Sequence, residues 1–154
     1  MINCYNRCMV IFTYRNYSGN SKALAERCLK QLLKKDVYIS YYGDGKPYVV
    51  DEDLYISISH TYKDIVIAIS EKEVGIDIEY KKSRHYQTIA DNMLKKDILD
   101  IDDFYREWTK HEAQFKHGGE NGSFAYFDLF KDTQTTVFSE DKEYKFIPME
   151  TFIE

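Results

Sequence analysis

Two carboxylates sit on alternate positions of an apolar run in "VGIDIEY", residues 74–80. In an extended strand, residues two apart point the same way. Val74, Ile76 and Ile78 then share one face, and Gly75, Asp77 and Glu79 share the other. At strand rise the two acids are about 7 Å apart at Cα. Two explanations are open: this face is solvated, or the acids hold a hard divalent cation, which takes oxygen ligands from one or two carboxylates, phosphates and water. A third acid lies in "WTKHEAQFKHGG", residues 108–119. On a helix Trp108, Glu112 and Lys116 are spaced by four and lie along one side. Glu112 and Lys116 alone read as a surface ion pair. A tryptophan in line with them implies that this side is partly covered.

These groups need elements to position them. The apolar run within residues 1–14 reads as a strand, and residues 20–35 as a helix capped by Asn20 or Ser21. Its apolar face is Leu24, Cys28 and Leu32, with Leu29 and Leu33. "YYGDGKPY" (41–48) is a turn. Three strand-like runs follow at 54–60, 64–70 and 73–80, and their short connections suggest an antiparallel meander. Residues 88–117 read as two helices broken near 97–102, and the glycines of 117–123 stop the second. The tail offers strands at 124–130, 134–139 and 144–147. The class is α+β, and 154 residues suit one domain.

A net charge of −5 argues against a broad nucleic-acid groove, though it leaves room for a small anion in one local basic pocket. Cys4 and Cys8 have a metal-like spacing, but no second Cys/His pair completes a zinc site. With Cys28 they read as reduced thiols. No stretch reaches transmembrane length and no signal pattern opens the chain, so the expected location is cytoplasmic. His85 and His117 read as surface residues. Taken alone, Ser59–His60 and "GKPY" are turn and strand-end features.

Taken in order, "GKP", "SH" inside a strand, "GIDIE" and "WTKHEAQFK" resemble the 4′-phosphopantetheinyl transferase superfamily, in particular its longer, surfactin-synthetase-activating type. The resemblance runs from about Gly45 to Lys116. It implies two similar α+β halves about a pseudo-twofold axis, both trimmed here, roughly 1–70 and 71–154, with the site between them. It implies Mg²⁺ held by Asp77, Glu79 and Glu112, with Glu112 also the general base and Lys116 meeting the pyrophosphate of coenzyme A. Ser59 and His60 match the pair that contacts the 3′-phosphate, Lys46 a basic residue near the adenosine phosphates, and Arg27 a further phosphate-binding arginine. The implied reaction moves the phosphopantetheine arm of coenzyme A to a serine of an apo acyl or peptidyl carrier protein, releasing 3′,5′-ADP. The implied state is a monomer, without nucleic acid or membrane. Where the motif usually reads Lys-Glu, this chain has His111–Glu112; Lys110 points about 100° away on a helix. Two other readings stand beside this one: a non-catalytic member that binds coenzyme A or a carrier protein, and an unrelated Mg²⁺-dependent phosphate hydrolase.

Overall fold

Strands that are apolar on both faces must be covered on both faces, and this sorts the chain into layers. The computed structural model describes residues 8–82, 86–94 and 98–151, without the side chains of 93, 94 and 151. The readings for Cys4 and His85, and the stretch 95–97, lie outside the described residues. In chain order the elements are β1 (Met9–Tyr14), α1 (Ser21–Leu33), β2 (Ile39–Tyr41), β3 (Pro47–Val49), β4 (Tyr55–Thr61), β5 (Asp64–Ser70), β6 (Val74–Tyr80), α2 (Tyr86–Ile89), α3 (Ile101–His117), β7 (Ser123–Phe127), β8 (Thr133–Ser139) and β9 (Tyr144–Pro148). The fold is α+β. A wider π-turn, Ala90–Leu94, continues α2.

One sheet has the order β4-β5-β1-β9, with β9 parallel to β1 and the other pairs antiparallel. A second has the order β6-β8-β7, all antiparallel. Alternation then assigns each side chain a layer. Val10, Phe12, Ile65, Ile67 and Ile69 meet Leu24, Ala25, Cys28 and Leu29 of α1. Met9, Ile11, Val66 and Ala68 point the other way and pack against Val74, Ile76, Ile78 and Val137 of the second sheet. The order is therefore α1, first sheet, second sheet, α3.

The meander expectation is corrected in part. β4 and β5 form the hairpin, Tyr55↔Ser70 to Thr61↔Asp64. β6 does not continue it: the second edge of β5 is taken by β1, and β6 pairs with β8 from Val74↔Ser139 to Tyr80↔Thr133. The turn at 41–48 joins the short strands β2 and β3, with Gly45 at φ +89°. Asn20 caps α1, its side chain accepting from Ala23 N–H at 2.7 Å. Asp100 caps α3 in the same way, and Gly118, at φ 85°, ends it.

Candidate functional site

β4 is an edge of the first sheet and β6 an edge of the second, and the two run side by side without a backbone ladder. Hydroxyls take its place. Ser57 Oγ accepts from Ile76 N–H at 3.1 Å, Ser59 Oγ from Ile78 N–H at 3.0 Å, and Thr61 Oγ1 from Tyr80 N–H at 3.1 Å. The every-second-residue pattern Ser57, Ser59, Thr61 puts all three on one face of β4. The remaining N–H groups of an edge strand are thus satisfied inside the protein.

α3 lies across the other face of β6. It comes so close that a Cβ on Gly75 would stand 1.8 Å from the Ala113 carbonyl oxygen. Thr109 and Ala113 are fully buried on this contact, with Thr109 Oγ1 2.7 Å from Thr136 Oγ1 of β8. One turn later Lys116 reaches the seam. Its Nζ donates to Ile76 O at 3.1 Å, Ile58 O at 3.2 Å and Asp77 Oδ1 at 3.3 Å. Asp77 Oδ1 also accepts from Ser59 Oγ at 3.1 Å.

Asp77 is 4% exposed, and its Oδ2 has no hydrogen-bond partner. Burial pushes its carboxyl up to about 7; Lys116 and Ser59 pull the other way, and Glu79 adds to the rise. Desolvation therefore outweighs the ion pair with Lys116. Beyond Lys116 opens a cleft of about 570 Å³ walled by Lys46 and Pro47 of the β2–β3 turn, Ser57 and Ile58 of β4, and Phe115 and Lys116 of α3. Lys46 Nζ is anchored there by Glu73 at 2.8 Å and by the His117 carbonyl at 3.0 Å. Phe115 is 78% exposed on the rim.

A buried carboxylate on "GIDIE", paired with a lysine that lines a neighbouring cleft, gives the comparison with known proteins its meaning. A protein of Haemophilus influenzae, provisionally named a 4′-phosphopantetheinyl transferase, is 28% identical in an alignment of 124 residues that covers 72% of this chain and 48% of its own. The 4′-phosphopantetheinyl transferase gsp of Aneurinibacillus migulanus is 31% identical in an alignment of 113 residues that covers 64% of this chain and 46% of its own. Over the aligned residues this chain is similar to these two 4′-phosphopantetheinyl transferases. It spans about half the length of the relatives it matches. No family profile matches it.

Of the residues that the phosphopantetheinyl transferase resemblance singled out, the fold gathers Ser59, Asp77 and Lys116 at the seam, with Lys46 on the adjoining cleft wall. Glu79 acts on Asp77 through its charge and is half-buried beside an aromatic hollow formed with Tyr86, Tyr105 and Trp108. Glu112 is half-buried on the same side of α3 as Lys116. His60 is exposed, on the face of β4 opposite Ser59. Arg27 is exposed on α1 and is not among the residues lining the cleft. His111 is exposed and its ring stacks on Trp108, centroids 6.1 Å apart.

The expectation for His117 is corrected: it is 4% exposed, packed edge-on against Phe138, with Nδ1 accepting from Gly119 N–H at 3.0 Å. Its position at the last turn of α3, over the second sheet, buries it. Cys28 is likewise buried, its thiol pushed up to about 12.

Among the described residues no three His, Cys, Asp or Glu side chains stand close enough to hold a metal ion by themselves. The fit of a divalent cation rests instead on Asp77. Its buried, unpartnered Oδ2 and the nearby Glu79 charge are a donor set that a hard cation satisfies, given ligand phosphates and water for the other positions. Among the described residues no helix is long and apolar enough to cross a membrane. Sequence reasoning missed Ser57, Thr61, Gly75 and Glu73. The one signal for the hydroxyls was their alternation in "SISHT".

Proposed function

We propose that this chain transfers the 4′-phosphopantetheine arm of coenzyme A to a serine of an apo acyl or peptidyl carrier protein, with a divalent cation, Mg²⁺ first, held by Asp77 and Glu79. The observation that carries this reading is the buried Asp77 carboxylate paired with Lys116, whose side chain also lines the cleft walled by Lys46. The named relatives support it.

The chemistry follows from residue types. The serine oxygen attacks the phosphorus bearing the pantetheine arm. The bond from that phosphorus to the bridging oxygen breaks, and 3′,5′-ADP leaves with the bond's electron pair. The serine proton passes to Glu112, directly or through water. Phosphoryl transfer asks chiefly for alignment and charge neutralisation. Lys116 and Lys46 supply positive charge to the phosphates in the cleft, and Ser59 orients Asp77 through the bond at 3.1 Å. The bound cation would add Lewis-acid polarisation of the attacked phosphate.

The test is incubation of the full chain with apo acyl and peptidyl carrier proteins, coenzyme A and Mg²⁺, read by intact mass. A carrier that gains one phosphopantetheine supports the proposal; full transfer in excess chelator overturns its metal. Coenzyme A binding without transfer to any carrier replaces it with the non-catalytic reading.

A further inference from the structure

The ammonium of Lys116 occupies a made seat. A lysine has three N–H donors, and here all three have acceptors: Ile58 O on the first sheet, Ile76 O on the second, and Asp77 Oδ1. The same side chain is 31% exposed and forms part of the cleft wall, so its outward path does not cross the packed core. Asp77 behind it is buried, with Oδ2 unpartnered. Any cation taking that carboxylate would face the Lys116 ammonium at close range in a poorly screened setting, and like charges there repel strongly. Lys46 cannot substitute for Lys116 without giving up Glu73 and the His117 carbonyl.

We propose that Lys116 is a tethered counter-ion that holds the Asp77 carboxylate closed to divalent cations until a phosphate-bearing ligand in the cleft draws the ammonium outward. Cation and phosphate ligand then bind interdependently. This rests on the reading of Asp77 as a cation ligand, and goes beyond it by giving Lys116 a role before any chemistry. Moving one ammonium from carboxylate to phosphate keeps both anions compensated once the cation has arrived. Without the phosphate, the displaced ammonium would give up three hydrogen bonds for water.

The experiment titrates the full-length chain with Mn²⁺ at pH 8 and reads free Mn²⁺ by electron paramagnetic resonance, with and without coenzyme A. Lys116→Met and Lys116→Gln should bind Mn²⁺ about tenfold tighter than the wild type in the absence of coenzyme A, a coupling of ordinary allosteric size. Coenzyme A should tighten Mn²⁺ binding strongly in the wild type and in Lys116→Arg, and much less in the two neutral variants. Asp77→Asn should lose the site in every case. Lys116→Gln retains a donor for the two carbonyls, so it reports even where Lys116→Met fails to fold. Neutral variants that bind Mn²⁺ no better than wild type, or that keep the full effect of coenzyme A, overturn the proposal. Absence of transfer to carrier proteins, with this Mn²⁺ coupling intact, counts against the transferase function and not against the counter-ion.

Discussion

At Asp77 burial and charge pull in opposite directions. The carboxyl is raised from 3.8 to about 7, first by desolvation, with Glu79 adding to the rise and Lys116 and Ser59 opposing it. A raised carboxyl binds its proton more tightly in the folded chain than in the unfolded one. Between about pH 4 and pH 7 the folded state then holds more protons, so stability falls as pH rises, and above that window the loss is constant. Asp77→Asn should remove this decline, which urea melts at a series of pH values will measure; an unchanged pH slope contradicts the burial account. Nothing of this was visible in the residue types. Acids on alternate positions of a strand announce possible metal chemistry, but a solvated pair and a buried one read alike until a helix covers one of them.

The elements that matter most are the hydroxyl seam and the α3–β6 contact. Ser57 is the residue to remove, because it sits outside the carboxylate cluster. Ser57→Ala leaves the Ile76 N–H buried without its acceptor, a loss of about 1–3 kcal/mol. Denaturant melts will measure it, and a variant within error of wild type means that water replaces the hydroxyl. Gly75→Ala is the opposite test, adding an atom. Its Cβ would overlap the Ala113 carbonyl, so α3 must shift, at about 1–3 kcal/mol or more. Because α3 carries both Glu112 and Lys116, activity should fall further than the stability loss explains. Activity tracking the folded fraction alone would mean that the helix returns to its place.

At the scale of the molecule, the core between the sheets decides the behaviour. Met9, Ile11, Val66 and Ala68 come from one sheet and Val74, Ile76, Ile78 and Val137 from the other. β9, from the end of the chain, completes the first sheet beside β1. Neither sheet can lose the other without exposing this layer, so unfolding should be a single cooperative step. Trp108, the sole tryptophan, is on α3 at the far side of the second sheet. Its fluorescence and the far-ultraviolet circular dichroism should therefore change at the same urea concentration. Separated midpoints would mean that the two sheets unfold independently.

The sequence by itself determined the local elements and the chemistry on offer. Period-two alternation placed β4 and β6, a continuous apolar run placed β5, an asparagine or serine cap opened α1 and glycines stopped α3, because these signals depend on neighbours only a few residues away. It also determined the motif order that marks the resemblance to phosphopantetheinyl transferases. Tertiary structure alone decided that β6 would leave the meander for a second sheet, since that choice depends on which strand, β1 or β6, claims the free edge of β5. It decided that Ser59 would turn to Asp77 while His60 faced away, and that Lys116 would seat itself on carbonyls of two sheets. Those contacts join residues up to 58 positions apart. No local pattern encodes a hydrogen bond whose partners meet only when both sheets have packed.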